Sequence, residues 1–247
     1  MSGGARTIDV VHEDAGGAFV IVNKPAGLLS VPGRGAETDP AKADCVIARV
    51  RSAFRDARGP MVVHRLDMET SGLMVVALTA DAQRTLSVAF QDRLVEKRYE
   101  AVVGVGGGLR DAEAGAVESP MRADIDDRPR QVIDRFRGKE AVTRFRVVRR
   151  WDDEQGAERA RLELEPVTGR SHQLRVHCAA GVECGGLGSP IVGDGLYGCG
   201  VGVASESGSV SRWPRPASRG GRLLLHACWL RLPWGGGGVE ASSPAPF

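Results

Sequence analysis

A short turn that carries an acid lies between two apolar runs in the first third of the chain. The runs cover residues 61–63 and 73–78, and the turn between them has the sequence HRLDMETSG. Short apolar runs bounded by polar residues are typical of buried strands, and rigid strands present reactive groups on the turns that join them. The sequence therefore predicts that Asp67 is held at a fixed position, as a nucleophile, a metal ligand or a structural cap.

Strand patterns outnumber helical patterns in the rest of the chain. Further strands are predicted over residues 19–22, 99–103, 141–148, 160–167 and 222–232. Apolar residues at helical spacing predict helices around residues 46–54, 86–90 and 171–180, the second of them capped by Thr79 or Asp81. Many strands with few helices indicate an α+β fold around a mixed sheet.

Glycine-rich stretches suggest how the chain is divided. Residues 104–115 form a predicted hinge or hairpin and the one plausible internal boundary, and residues 199–221 have the composition of a flexible insertion. We expect an N-terminal extension over residues 1–17, one domain over residues 18–232, and a C-terminal tail over residues 233–247 whose last dozen residues fray.

The composition excludes several classes of protein. No apolar run is long enough to span a bilayer, and the first 17 residues lack the apolar segment of a secretory signal. The five cysteines are an odd number without the spacing of a disulfide framework, which indicates reduced thiols. We therefore expect a cytoplasmic protein with no membrane partner.

Charge is unevenly distributed along a chain whose net charge is only +2. Residues 122–150 contain ten basic and five acidic residues, whereas residues 152–165 contain six acids and two arginines. A local basic stripe is compatible with a polyanion bound at one face. A solvated pair of strands with alternating charge would give the same pattern.

A second cluster of reactive side chains lies in the segment TGRSHQLRVH, at residues 168–177. His172 and His177 are five residues apart, with Cys178 and Cys184 nearby, so a metal site has to be considered. Helical zinc ligands are usually four residues apart, and no CxxC motif supports the site. Histidines that cap or pack the fold are the alternative.

Three blocks of the sequence, separated by long stretches, form a specific signature. They are VNKPAGLLSVPGRG from Val22, HRLDMETSGLMVVALT from His64 and VTGRSHQLRVH from Val167, with shorter matches KRYEAVV, PIVGDGLYG and RLLLHA. Together they resemble the RluA family of pseudouridine synthases over roughly residues 18–232. The resemblance implies the pseudouridine synthase fold, a mixed, mostly antiparallel central sheet with peripheral helices and loops.

The resemblance also implies a reaction. Such enzymes detach uracil from its ribose, rotate it and rejoin it through a ring carbon, without a cofactor or a metal. Asp67 would be the catalytic carboxylate, and whether it attacks the sugar, attacks the base or removes a ribose proton stays open. Arg170 is the implied salt-bridge partner, because a buried carboxylate without one would become neutral. Tyr99 would stack on the uracil, and Leu174 would form an apolar wall of the pocket.

RNA is the partner that the resemblance implies. The target uridine has to leave its stack, and Arg65 resembles the residue that fills the vacated place in this family. His64, Arg130 and Arg175 are further expected RNA contacts. The segment PMRADIDDRPRQVIDRFRGKEAVTRFRV resembles the subgroup that modifies stem-loops in transfer RNA and large-subunit ribosomal RNA. We expect a monomer.

Two further expectations concern the start of the chain. Lys24 and Pro25 are expected to be structural and to shape the floor behind the Asp67 turn. The family often carries an additional N-terminal RNA-binding domain, whereas about 17 residues precede the first predicted strand here. Specificity is therefore expected to come from the catalytic domain and its loops.

Two rival functions remain open from the residues alone. The first is an RNA-binding chaperone of the same fold with little turnover, against which the combination of Asp67, Tyr99 and Arg170 argues. The second is a metal-dependent hydrolase that uses His172, His177 and the cysteines. A chaperone would not need Asp67, whereas the hydrolase would lose its activity when a chelator removes the metal.

Overall fold

The structure is a computed structural model that describes residues 7–211 and 221–247. Its strands, in chain order, are β1 (Asp9–Glu13), β2 (Phe19–Lys24), β3 (Ser71–Ala77), β4 (Glu96–Gly104), β5 (Ala114–Glu118), β6 (Met121–Ala123), β7 (Gln131–Ile133), β8 (Val142–Asp152), β9 (Glu158–Pro166), β10 (Val203–Ala204), β11 (Val210–Ser211), β12 (Leu225–Leu232) and β13 (Val239–Ser242). Its helices are α1 (Pro40–Ala43), α2 (Val46–Ala53), α3 (Ala80–Gln91) and α4 (Gln173–Ala179), with a 3-10 turn at Val182–Cys184. The chain divides into two compact units, residues 1–97 with 226–246 and residues 98–225 with 247.

The first unit is built on a sheet with the strand order β1-β2-β3-β12, and β13 also pairs with β12. All of these pairings are antiparallel except that of β3 with β12. Every residue of β3 is buried, which fits its apolar sequence. Residues 61–63 contribute a single bridge, Val62 to Val76, rather than the strand that the sequence predicted.

Helices α2 and α3 begin where the sequence offers caps. The Thr79 hydroxyl accepts a hydrogen bond from the Ala82 amide at the start of α3, as predicted from the sequence. The buried face of α3 consists of Ala82, Leu86 and Ala89, which pack on the core of the first unit. The helical spacing of the apolar residues therefore predicted both helices correctly.

The second unit contains two sheets. The larger has the order β4-β9-β8-β5 and is antiparallel throughout, and the smaller has the order β11-β10-β7-β6 with one parallel pair, β10 with β7. All seven residues of α4 are buried. Leu174 and Cys178 pack in a core with the large sheet, and Val176 and Ala179 pack in a core that includes residues of the small one.

The predicted divisions of the chain differ from the observed ones in four places. The units divide at residues 97–98 and 225–226, not in the glycine-rich stretch that joins β4 to β5. Within residues 199–221, β10 and β11 form a short hairpin, and residues 212–220 lie outside the described part of the chain. Strand β13 pairs with β12 where fraying was expected, and β1 lies inside the predicted N-terminal extension. One catalytic domain over residues 18–232 stays a prediction.

Both units combine mostly antiparallel sheets with a few helices, so the predicted α+β class is confirmed. None of the helices within residues 7–211 and 221–247 has the length and apolar character needed to cross a membrane.

Candidate active site

The turn that carries Asp67 is fixed on both sides by hydrogen bonds. The Leu66 amide donates to the Ser30 hydroxyl at 3.1 Å, and that hydroxyl donates to the Leu66 carbonyl at 2.6 Å. The Asp67 carbonyl accepts from the Thr70 amide at 3.1 Å, which closes the turn. The backbone on either side of Asp67 is therefore held, while Asp67 itself stays partly exposed and Arg65 is exposed.

The buried side chain of Lys24 also holds this turn, through hydrogen bonds to backbone carbonyls. Its ammonium is fully buried and donates to the carbonyls of Pro25, Leu28 and Met68 at 3.0, 2.7 and 2.8 Å. Burial lowers the pKa of Lys24 to about 8, and the negative charges of Asp67 and Glu69 oppose that fall. The ammonium thus joins the first sequence block to the second, which confirms the structural role predicted for Lys24.

Gly72 connects the turn to β3 through a conformation that favours glycine. Its φ is +112°, and a Cβ at this position would lie 2.3 Å from the Ala227 carbonyl oxygen of β12. The next contact between these strands is a hydrogen bond of 2.8 Å between Ser71 Oγ and His226 Nδ1, where both side chains are buried. The parallel pairing of β3 with β12 therefore sets the exit of the turn.

His64, which the sequence predicted as an RNA contact, has a clear role in the fold. Its Nε2 accepts a hydrogen bond from the Val75 amide at 2.9 Å, and its ring stacks on Phe90 with a centroid distance of 4.3 Å. Burial, with a smaller effect of the Lys97 ammonium, lowers the pKa of His64 to about 3. A neutral imidazole is the form that accepts from an amide, so this geometry ties the Asp67 turn to β3 and α3.

The other residues of the predicted pocket lie in the second unit. Tyr99 lies on β4 opposite Leu164 of β9, partly exposed, and packs against the core of the large sheet. Arg170 is partly exposed in the turn before α4, and its Nε donates to the Glu140 carbonyl at 2.9 Å. Leu174 is almost fully buried one turn further on.

Gln173 organises the Arg170 turn. Its side-chain oxygen accepts from the Arg170 amide at 3.0 Å and from the Thr168 hydroxyl at 2.7 Å. Its side-chain nitrogen donates to the Val142 carbonyl and the Thr143 hydroxyl of β8. The turn is therefore attached to the large sheet by a side chain that is itself 3 % exposed.

Arg175, the second predicted RNA contact, forms a buried ion pair. Its guanidinium donates to both carboxylate oxygens of Asp194, at 2.8 and 2.6 Å, and the side chain is 4 % exposed. Burial acts to raise the pKa of Asp194, but Arg175 and the amides of Leu196 and Tyr197 outweigh it and hold that pKa below its ordinary value. This geometry favours a structural role for Arg175 over contact with RNA.

Arg130, the third, is also largely buried. Its guanidinium donates to the Leu196 carbonyl and lies 3.6 Å from the Asp127 carboxylate. Both Arg130 and Arg175 thus hold the segment around residues 194–197. Arginines are usually exposed, which is why the sequence alone suggested a surface role for both.

The basic stripe is balanced by the acidic segment that follows it. Strands β8 and β9 are antiparallel neighbours, and Arg144 and Arg146 lie 3.2 and 3.1 Å from Glu165 and Glu163. Arg150 similarly lies 3.4 Å from Glu113. Exposed pairs of this kind contribute little stability, but they neutralise most of the excess charge on β8.

The histidines considered as metal ligands are engaged within the fold. His177 Nδ1 lies 2.9 Å from the Thr143 hydroxyl and its Nε2 lies 3.1 Å from the Ser119 carbonyl. Burial raises the pKa of the Cys178 thiol to about 12, which disfavours the thiolate that a metal requires. Within residues 7–211 and 221–247 no group of three or more His, Cys, Asp and Glu side chains could hold a metal ion.

Comparison with known proteins identifies the class of enzyme to which the chain belongs. The family described as RNA pseudouridylate synthase matches residues 18–180, a range that includes Asp67, Tyr99 and Arg170. The chain belongs to this family, and it is therefore an isomerase that acts on RNA. The family and the reaction class predicted from the three sequence blocks are confirmed.

Individual relatives support the same assignment. The dual-specificity RNA pseudouridine synthase RluA of Yersinia pestis is 41% identical over 209 residues, which are 85% of this chain and 85% of that protein. The protein of the same name from Escherichia coli (strain K12) is 40% identical over 231 residues, 93% of this chain and 90% of that protein. The solved structure of human RNA Pseudouridylate Synthase Domain Containing 1 matches with a TM-score of 0.70 and 28% identity, covering 100% of this chain and 87% of that chain.

Sequence reasoning missed several residues that hold the two turns. Ser30, Asp194 and Tyr197 are buried and hydrogen-bonded to backbone or side chains near them. All three lie inside segments that were recognised as matching the family, VNKPAGLLSVPGRG and PIVGDGLYG. That membership was the available signal, because nothing in their local spacing indicates a partner.

Proposed function

We propose that the protein converts uridine to pseudouridine in a stem-loop of large-subunit ribosomal RNA, of transfer RNA or of both, with Asp67 as the catalytic carboxylate. In this reaction the bond from the ribose anomeric carbon to the ring nitrogen breaks, and a bond to a ring carbon forms. The ring carbon loses a proton and the nitrogen gains one. The reaction therefore balances without a cofactor, a metal or an energy source.

The fixed Asp67 turn is the observation that carries the proposal. The hydrogen bonds from Ser30 and Lys24 hold the backbone around a carboxylate that remains partly exposed. Preorganisation of this kind reduces the cost of bringing a catalytic group to its substrate.

Arg170 and Tyr99 complete the proposed site. Arg170 would pair with Asp67 and keep it ionised when RNA excludes water, and its turn is held to the large sheet by Gln173. Tyr99 would stack on the extruded uracil, and a half-buried aromatic ring on a strand is a suitable stacking surface. Leu174 would form the apolar wall, in keeping with its place in the core.

Arg65 is proposed to fill the space that the uridine leaves. It is exposed and lies two residues before Asp67 on the same turn. A guanidinium can stack on bases through its plane while its edge donates to phosphates. His64, Arg130 and Arg175 would support the RNA-facing turns through contacts within the fold, a role that their hydrogen bonds favour.

The choice of RNA rests on two resemblances. Several relatives are named dual-specificity enzymes, which supports more than one target RNA for this protein. The segment from Pro120 onward resembles the subgroup that modifies short stem-loops. A monomer in the cytoplasm completes the proposal, and the five free cysteines are consistent with a reducing compartment.

Mapping of pseudouridine tests the target. In cells that lack the protein, we expect at least one pseudouridine to be missing from large-subunit ribosomal RNA or transfer RNA. The wild-type protein should restore it, and a variant with Asp67→Asn should not. An unchanged pseudouridine map in both RNA classes would contradict the proposed target.

Substitution of Arg65 by alanine tests base extrusion. We expect kcat/KM to fall by about 10- to 100-fold on a uridine inside a stem-loop, because nothing would fill the vacated stack. The loss should be about tenfold smaller on a flexible single strand, where the uridine is already unstacked. Arg65→Lys, which keeps the charge but loses the stacking plane, should resemble the alanine variant. Equal losses on the two substrates would contradict the stack-filling role.

A further inference from the structure

Helix α4 begins at a residue in an unusual backbone conformation. His172 has φ +56° and ψ +15°, in the left-handed region that favours glycine. Among the described residues, Arg93 is the only other non-glycine residue with a positive φ. A residue with a side chain persists in this region only when its surroundings hold it there, so contacts with neighbouring residues must stabilise His172.

Tyr197 holds the imidazole of His172. The Tyr197 hydroxyl lies 2.8 Å from His172 Nδ1, and the two rings meet edge to face at a centroid distance of 5.7 Å. Tyr197 is 1 % exposed, and its hydroxyl also accepts from the Gln131 amide at 2.8 Å. Its own amide donates to Asp194, which is paired with Arg175. The hydroxyl therefore occupies a fixed point in the second unit.

The conformation of His172 determines the turn that carries Arg170. The His172 carbonyl accepts from the Val176 amide at 2.9 Å, which starts the helix. The Gln173 amide donates to the Arg170 carbonyl, while the Gln173 side chain accepts from the Arg170 amide. Residues 170–173 thus form a four-residue turn in which His172 is the third residue, and a positive φ at that place gives the turn a different backbone path from the commoner turn with a negative φ. A change of φ at His172 would therefore reorient Arg170.

We propose that the hydrogen bond between His172 and Tyr197 positions Arg170 for catalysis. Tyr197 would keep residue 172 in the left-handed conformation, and that conformation would set the orientation in which the Arg170 side chain leaves the turn. In this proposal His172 and Tyr197 are positioning residues that act through Arg170. The inference rests on the proposed function, because it requires that Arg170 serves the reaction.

Removal of the hydrogen bond is the direct test. Tyr197→Phe keeps the ring and loses the hydroxyl, and we expect kcat to fall by about tenfold or more with KM for RNA within about twofold, since small misplacements of a catalytic group are costly. His172→Gly has no imidazole for Tyr197 to hold, and glycine populates positive and negative φ about equally, so residue 172 can leave the left-handed conformation and the variant should show a similar loss. The double variant should lose no more than about the larger single loss, because both changes remove one interaction.

The Arg170 background distinguishes positioning from general destabilisation. When Arg170→Ala is already present, Tyr197→Phe should not lower kcat further, because the group that it positions is gone. A merely structural role would lower kcat by the same factor in both backgrounds. Ser189→Ala is a matched control, since its buried hydroxyl bonds the Gly106 amide and the Leu187 carbonyl elsewhere in the same unit. It should lower the urea midpoint comparably and leave kcat unchanged.

The outcomes separate this inference from the proposed function. If Arg170→Ala is impaired and Tyr197→Phe has wild-type kcat, the inference is overturned and the proposed function stands. A further loss from Tyr197→Phe in the Arg170→Ala background, or an effect on KM alone, would also overturn it. Wild-type kcat in Arg170→Ala would remove both the proposed role of Arg170 and the inference, while the result for Asp67→Asn would still decide the role of Asp67.

Discussion

Asp67→Asn is expected to lower kcat for pseudouridine formation by about 10³-fold or more, with RNA affinity within about twofold of wild type. Nucleophilic attack on the sugar, attack on the base and removal of a ribose proton all require an anionic oxygen. Asparagine has almost the same shape and cannot supply one. Two measurements are needed on the same stem-loop: the rate of pseudouridine formation in a single turnover, and the equilibrium affinity of each protein for the RNA. Unchanged turnover would remove Asp67 from the mechanism.

Glu69→Gln is the matched control for this substitution. It removes the same charge from the same turn, two residues further on, and the charges of Glu69 and Asp67 both raise the pKa of Lys24 against the effect of burial. Either substitution should therefore lower the pKa of Lys24 below about 8. If Glu69→Gln keeps wild-type kcat, a lowered pKa of Lys24 does not by itself impair the reaction, although Asp67 acts on that pKa more strongly than Glu69 does. An equal loss of kcat in both variants would assign the effect to Lys24 and its hydrogen bonds.

The local features of this fold could be predicted from the sequence. Helices α2 and α3 follow from apolar residues at helical spacing, and Thr79 was recognisable as the cap of α3. The position of Asp67 between apolar runs was also correct, although residues 61–63 form only a bridge. These features depend on neighbours within a few residues, which is the range over which periodicity and capping act.

The features that hold the site depend on residues far apart in the chain. Ser30 meets Leu66 across 36 residues, and Tyr197 meets His172 across 25. Arg175 looked like a surface arginine because its partner, Asp194, follows 19 residues later in a glycine-rich segment. A sequence of one protein gives no sign of such pairings. The resemblance to a family supplied the proposed catalytic residues, and the structure supplied the contacts that hold their turns.

Acid is expected to destabilise the second unit through His177. Burial lowers the pKa of this imidazole to about 4, from an ordinary value of 6.5. Between these values the unfolded chain binds a proton that the folded chain does not, so stability falls as the pH drops. The contribution of the neutral His177 imidazole to the free energy of unfolding is fully present above pH 6.5 and lost near pH 4. It amounts to about 3 kcal/mol, because one unit of pKa corresponds to about 1.4 kcal/mol.

His177→Asn should therefore unfold more easily than wild type at neutral pH but lose less stability on acidification. The difference in unfolding free energy between the two proteins, measured with urea at about pH 7 and about pH 4, should shrink by about 3 kcal/mol. Thr143→Val removes a hydrogen-bond partner of His177 but leaves the imidazole buried. It should therefore lower the free energy of unfolding at every pH and leave its dependence on pH as steep as in wild type. If the free energy of unfolding depended on pH in the same way for wild type and His177→Asn, the imidazole would not stay neutral in the folded protein. Carboxylates elsewhere would then govern the response of the protein to acid.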